Sequence, residues 1–199
     1  MKVVLATTNP GKLKEFTSLA KEVDWLQLVM APDGFNPKET GKTFFENAKI
    51  KATEAAKLTG SMAMADDSGI VIEALDGKPG ILSARYCEGS DADRRKKVLA
   101  EMKSVPEQNR QAAFVCAMVV CKADGEVAFH TIRYWEGMIG TQEKGSNGFG
   151  YDPIFFPRKC KGSAAELEPA EKNRISHRGQ AWQQVANYLK QNRAQLDSK

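Results

Sequence analysis

The chain has 199 residues, 42% hydrophobic and 27% charged, with 29 Lys and Arg against 25 Asp and Glu, a formal net charge of +4. That is enough chain to bury a core without disulfide staples, in an ordinary globular balance. The mild, evenly spread charge predicts a weak preference for anionic ligands and no nucleic-acid footprint. No run approaches the roughly 18 apolar residues of a membrane span. The opening run Val3-Val4-Leu5-Ala6 is too short for the apolar stretch of a secretion signal.

Residues 2–7 read as a buried strand and Thr8-Asn9-Pro10-Gly11 as a turn. A helix over 12–22 follows, with Leu13, Phe16, Leu19 and Ala20 on one face at three- and four-residue spacing. Residues 25–30 read as a second strand, and a loop rich in Pro and Gly covers 31–41. Thr43 caps the next helix, with Glu46 as its capping-box partner, and the helix stops at Gly60. Residues 62–65 form a short strand ending in Asp66-Asp67-Ser68-Gly69, and 70–74 continue as strand. Asp76-Gly77 and Pro79-Gly80 mark turns, and 91–102 a helix. Asp124-Gly125 between the apolar runs 112–121 and 126–134 predicts a β-hairpin. A turn-rich loop over 145–153 precedes a strand over 154–156. The last helix covers 178–192, with Trp182, Val185, Ala186 and Leu189 on one face. Strand, helix and strand come first, a hairpin later and a helix last, which predicts an α/β fold with a mixed sheet. No repeat or linker interrupts the chain, so a single domain over 1–199 is expected.

The cysteines are Cys87, Cys116, Cys121 and Cys160, with no Cys-x-x-Cys pair. Cys116 and Cys121 are five apart in a strand-like run and should face opposite ways. Neither structural zinc nor a disulfide framework is expected, and a reducing cytosol fits.

Four stretches could carry chemistry. Thr7-Thr8-Asn9-Pro10-Gly11-Lys12 joins a strand to a helix start, where N–H groups bind anions and Lys12 adds charge, but it also reads as a plain β–α turn. It is not a Walker A loop, because the second Gly and the Lys-Ser/Thr ending are missing. Asp66 and Asp67 repel each other unless a cation or donors compensate. Their oxygens suit Mg²⁺, yet Asp-Ser-Gly is also an ordinary turn. In Phe149-Gly150-Tyr151-Asp152-Pro153, an aromatic beside glycine can stack on a base and Asp152 can accept from a ring N–H, against a core Phe and a turn Asp. Lys172, Asn173, Ser176, His177 and Arg178 lie near a helix start, where Ser176 can be a cap and Lys172 a solvated charge. Arg178 offers fork-shaped donors to a keto oxygen or a phosphate.

In this order the four stretches resemble the inosine triphosphate pyrophosphatase family, enzymes that remove non-standard purine nucleotides. The resemblance covers nearly the whole chain. It also takes in Glu39-Thr40-Gly41-Lys42-Thr43-Phe44-Phe45-Glu46-Asn47-Ala48, Pro79-Gly80-Ile81-Leu82-Ser83-Ala84-Arg85-Tyr86 and Ser176-His177-Arg178-Gly179. Two positions depart from the family pattern. Thr8 stands where Gly is usual, which would strain a β-branched residue if that position needs a positive φ. Leu82 stands where an aromatic is expected.

The resemblance implies a long, curved mixed sheet flanked by helices, in two lobes with the active site in a central cleft. It implies a cytoplasmic homodimer that takes no nucleic acid or membrane as partner. The implied reaction cuts ITP, dITP or XTP between the α and β phosphates, with Mg²⁺. By position, Thr7, Thr8, Asn9, Pro10, Gly11 and Lys12 would cradle the phosphates, and Lys51 and Lys172 would neutralise them. Asp67 would be the catalytic carboxylate, with Glu39 and Asp66 helping it hold Mg²⁺. Phe149 would stack on the base within a loop that includes Gly150 and Tyr151. Asp152, His177 and Arg178 would read the base edge, with Ser68 beside the substrate. Hypoxanthine and xanthine carry a keto oxygen at C6 that matches donors from His177 and Arg178, whereas adenine's amine would leave them unpaired. A pyrophosphatase for modified pyrimidines and a catalytically dead nucleotide sensor are the competing readings. The intact set Glu39, Asp66 and Asp67 argues against the sensor.

Overall fold

A computed structural model describes residues 1–196. Its strands are β1 (Lys2–Leu5), β2 (Gln27–Met30), β3 (Ala63–Ile72), β4 (Gln111–Cys121), β5 (Val127–Ile139) and β6 (Phe155–Pro157). Its helices are α1 (Pro10–Ala20), α2 (Phe44–Thr59), α3 (Asp91–Glu101), α4 (Pro169–Ile175), α5 (His177–Gln191) and α6 (Arg193–Leu196). The strands form one sheet in the order β2-β1-β3-β4-β5-β6. β1 runs parallel to β2, with Val3 opposite Leu28, and parallel to β3, with Leu5 opposite Met64. β5 and β6 are antiparallel, with Met138 opposite Phe156. The sheet is therefore mixed and the fold α/β, as the order of elements predicts. No helix among the described residues is long and apolar enough to cross a membrane.

The chain divides into two compact units. The first comprises Met1–Asp67, Cys116–Arg133 and the chain from Arg178 on. There β1, β3 and β4 are buried on both faces, so alternate residues feed different cores. Val3 and Leu5 of β1, Met64 of β3 and Cys116, Met118 and Val120 of β4 pack with Phe16 and Leu19 of α1 and Trp182, Val185 and Leu189 of α5. Phe16 meets the Trp182 ring edge-on at 6.0 Å and 63°. Val4, Ala6, Ala63, Ala65, Ala117, Val119 and Cys121 face the other way, onto Ala48, Ala52, Ala55 and Ala56 of α2. That alanine face lets the helix lie close to the strands. Cys116 and Cys121 fall in different cores, as their odd spacing predicts, and all four cysteines are free thiols.

The second unit comprises Ser68–Val115 and Tyr134–His177. Ile70 and Ile72 of β3, Val98 of α3, Phe114, Trp135 and Phe155 form its core, together with Met102 and Ile154. Arg110 is buried there, and its guanidinium donates to the carbonyls of Ile139, Met102, Val105 and Gly140. Those bonds satisfy a cation that burial would otherwise penalise.

Several boundaries differ from the sequence expectations. β1 ends at Leu5 and β2 starts at Gln27. α1 starts at Pro10, because Asn9 caps it and proline suits the first helical position. Asp66-Asp67-Ser68-Gly69 is no turn: β3 runs unbroken through it and stops at Ile72. Glu73–Leu75 then forms a 3-10 turn, not strand, and Asp76 and Gly77 take left-handed φ of 51° and 80°. Polar residues imitate turn chemistry in sequence, but these are paired within the fold. β5 extends to Ile139, β6 occupies Phe155–Pro157, and α5 begins one residue early, at His177. α4 has no counterpart in the sequence reading. Thr43, Glu46 and Gly60 do bound α2: the capping box is formed at one end, and Gly60 has a left-handed φ of 59° at the other.

Candidate active site

In the first unit the site grows from β3. Neighbouring side chains on a strand leave opposite faces, so Asp66 and Asp67 part company. Asp66 follows Met64 towards α1 and α5. Its Oδ2 lies 2.9 Å from Lys12 Nζ and 3.3 Å from Arg178 Nη2. Arg178 Nη1 donates to Glu15 Oε2 at 2.5 Å. Burial opposes the Arg178 charge, yet Asp66 and Glu15 outweigh it and hold the guanidinium firmly protonated.

Asp67 follows Ala65 towards α2. Its Oδ1 accepts from Lys51 Nζ at 3.1 Å and its Oδ2 from Asn47 Nδ2 at 3.4 Å. Lys51 Nζ also donates to Glu39 Oε1 at 2.7 Å. The two partners' titrations look contradictory, since both shift upwards. Burial, the largest effect on Asp67, raises its carboxyl, and Lys51 and Lys12 offset this only in part. Burial also works against the Lys51 ammonium, but Asp67, Asp66 and Glu39 overcome it. One ammonium serving several carboxylates accounts for both directions. It keeps its proton easily, and each carboxylate receives only a share of its charge.

The strand-to-helix loop is tied together by its own side chains. Thr7 Oγ1 accepts from Asn9 N at 3.3 Å, and Asn9 Oδ1 accepts from Lys12 N at 3.0 Å. Among the described residues the non-glycine positions with positive φ are Asp76 and Lys159, so Thr8 sits there without the strain its departure from the family pattern suggested.

The second unit holds a separate cluster. Lys172 of α4 donates to Asp152 Oδ2 at 2.5 Å, and its ammonium lies 4.9 Å from the centre of the Phe149 ring. Asp152 Oδ2 also accepts from Phe149 N at 2.8 Å. A Cβ on Gly148, where φ is +77°, would collide with that same oxygen, so the glycine keeps the carboxylate seated. Gly150 is pinned by Asp91 Oδ2 on its N–H at 2.9 Å and by Arg95 on its carbonyl at 2.8 Å. Tyr151 is a core residue, with its hydroxyl on the Ser83 carbonyl at 2.8 Å and its ionisation raised by burial. His177 is buried flat against Phe114, ring centres 4.8 Å apart at 6°, with Trp135 at 6.3 Å. Ser68 is half-buried on β3.

The donor set fits a hard divalent cation. Glu39 and Asp67 converge on Lys51, and Mg²⁺ commonly takes one or two protein carboxylates while water and phosphate complete its shell. Among the described residues no group of three His, Cys, Asp or Glu encloses a metal by itself. The ion pairs form two groups, Glu15 and Asp66 with Lys12 and Arg178, and Glu39 and Asp67 with Lys51. Asp66, expected as a third metal ligand, has a side chain with 0% exposure, turned to the other face of β3 onto Lys12 and Arg178. It anchors cations. Sequence reasoning missed Glu15 and Asn47. Glu15 lies one helical turn after Lys12, and Asn47 one turn before Lys51.

A capped strand-to-helix loop carrying a lysine, in an α/β fold with a mixed sheet, suits a protein that binds anionic ligands. Residues 3–188 match the model of the Ham1 family, and the chain belongs to that family. It is similar to a dITP/XTP pyrophosphatase of Oceanobacillus iheyensis, 42% identical across 94% of this chain and 98% of that protein. A dITP/XTP pyrophosphatase of Vibrio vulnificus is 45% identical across 96% of this chain and 97% of its own. Among solved structures, a HAM1 protein from Coxiella burnetii superposes with a TM-score of 0.85 at 41% identity, covering 96% of this chain and 99% of that one.

Proposed function

We propose that this chain is a Mg²⁺-dependent nucleoside triphosphate pyrophosphatase that cuts dITP, ITP and XTP to the monophosphate and pyrophosphate, keeping them out of DNA and RNA. The observation that carries the reading is the convergence of Glu39 and Asp67 on Lys51. It occurs in a chain at least 42% identical, nearly end to end, to proteins named dITP/XTP pyrophosphatases.

In this reading the loop from Thr7 to Lys12 and Lys51 take the phosphates, and Lys172 adds positive charge. Asp67, whose burial raises its affinity for protons, accepts one from the attacking water. Water attacks at the α phosphorus, and the bond to the bridging oxygen breaks with pyrophosphate leaving. Glu39 and Asp67, helped by Asp66, would hold Mg²⁺, which would supply charge neutralisation at the reacting phosphates. Phe149 offers its ring to the base, with Gly150 and Ser68 beside the substrate. Asp152 and His177 read the base edge. Arg178, its plane fixed by Glu15 and Asp66, contacts the C6 keto oxygen. The enzyme works as a cytoplasmic homodimer, the two units serve one activity, and neither nucleic acid nor membrane is a partner.

Product analysis tests this. Incubated with dITP and Mg²⁺, the protein should release dIMP and pyrophosphate, far faster than it acts on dGTP, and chelation should stop it. Release of dIDP and phosphate as the main products would overturn the reading.

A further inference from the structure

Asn47 is wholly buried in the first turn of α2. Its Oδ1 accepts from Gly41 N at 2.8 Å, while its Nδ2 donates to Asp67 Oδ2 at 3.4 Å. The two bonds fix the amide's orientation. The Gly41 N–H can only donate, so the oxygen must face it and the NH₂ is left for the carboxylate. Gly41 has no room for a side chain, since a Cβ would lie 2.6 Å from Glu46 Cβ and 2.7 Å from Asn47 Oδ1.

Four residues on, and so on the same face of the helix, Lys51 repeats the arrangement. Its ammonium donates to the other Asp67 oxygen and to Glu39, two residues before Gly41. Asp67 is thus gripped on both oxygens by residues one helical turn apart. Each of those residues also holds the segment 39–41, Asn47 through the Gly41 backbone and Lys51 through the Glu39 side chain.

We infer that Asn47 is a positioning residue that fixes the Asp67 carboxylate and ties the Glu39-bearing segment to it, so that both carboxylates keep the geometry hydrolysis requires. The inference rests on the function proposed above. It does not depend on the helix cap. Thr43 Oγ1 accepts from Glu46 N at 3.1 Å, Glu46 Oε2 accepts from Thr43 N at 3.0 Å, and neither bond involves Asn47. Alanine is also the best helix former, so Asn47→Ala should fold.

The test compares wild type, Asn47→Ala and the near-isosteric Asn47→Asp by three measurements: steady-state kinetics on dITP, hydrogen exchange at the Gly41 amide, and calorimetric Mg²⁺ binding without nucleotide. Asn47→Ala should lose about tenfold to a hundredfold in kcat, with KM within about threefold. Its Gly41 amide should exchange faster and its Mg²⁺ binding weaken. Asn47→Asp keeps an acceptor for Gly41 but removes the donor to Asp67. Its Gly41 amide should stay protected while kcat falls at least as far, an outcome that a packing role would not give. The inference is overturned if Asn47→Ala keeps kcat within about twofold, or if its Gly41 exchange and Mg²⁺ affinity match wild type. A wild-type protein that fails to hydrolyse dITP refutes the functional reading instead, and the Gly41 and Mg²⁺ measurements then decide the positioning role alone.

Discussion

Lys172 Nζ donates to Asp152 Oδ2 across 2.5 Å, with only 6% and 3% of the two side chains exposed. Both charges have been taken out of water, so each depends on the other. The same carboxylate oxygen also accepts from the Phe149 backbone, which makes the pair the anchor of the loop carrying that ring. Lys172→Met leaves the carboxylate buried without its ammonium and should cost about 3–5 kcal/mol. In a chain of this size that lowers Tm by on the order of 10 °C. Adding Asp152→Asn in the same chain should recover part of the loss. Scanning calorimetry of the single and double variants checks this, and a single variant that melts within about 2 °C of wild type would remove the pair from its anchoring role.

Asp67→Asn should abolish turnover of dITP while the protein still folds and binds nucleotide. A retained kcat above about a tenth of wild type, a loss below ~1.4 kcal/mol, would remove Asp67 from the chemistry. A pH signature goes with it. Burial raises the Asp67 carboxyl above its ordinary value in the folded state. The folded protein therefore binds this proton more tightly than the unfolded chain does. The stability tied to that proton is present in full below the ordinary aspartate range, about 3.9, and is lost as pH rises through the elevated folded value. In chelator at neutral pH, Asp67→Asn should therefore melt higher than wild type, and the difference should vanish as pH falls to about 4. A difference that grows with acidification would contradict this.

Local chemistry made much of this fold legible. The Thr43 and Glu46 capping box, the Asp124-Gly125 turn and the opposed Cys116 and Cys121 all depend on neighbours within a few residues. The misread parts are those where distant partners override local preference. Asp66 to Gly69 have turn composition, yet the segment is strand. Lys12 and Arg178, 54 and 112 positions from Asp66, hold its Oδ2, and Lys51 and Asn47 hold the two oxygens of Asp67. Glu15 meets Arg178 across 163 positions, which no spacing rule reaches. α4 is short and polar, with Lys172 and Asn173 buried in place of apolar residues, so it lacks the periodic stripe that marks a helix. The candidate site residues drew their roles from the family pattern, while the opposite faces taken by Asp66 and Asp67 follow from the strand alternation of β3.

Light scattering at micromolar concentration should give twice the mass of the chain. A monomer would refute the homodimer.

Arg178 offers the sharpest separation between two roles. Its guanidinium is buried between Glu15 and Asp66, beside Lys12. A fork of donors held in that way can address either a keto oxygen or a phosphate. If it reads the base, Arg178→Ala should lower kcat/KM for ITP by about tenfold to a hundredfold, the worth of a hydrogen bond from a charged donor, and lower it far less for ATP. The ratio between the two nucleotides then narrows. If it serves phosphate, or only steadies Asp66, both nucleotides lose the same factor, because they carry the same triphosphate. Removing the guanidinium also leaves Glu15 and Asp66 with one cation fewer. Melting curves must therefore accompany the kinetics, and Arg178→Lys, which keeps the charge without the planar fork, separates the two effects. A ratio unchanged in Arg178→Ala would take Arg178 out of base recognition and leave Phe149, Asp152 and His177 to account for it. A ratio that narrows in both variants would assign discrimination to the planar fork itself.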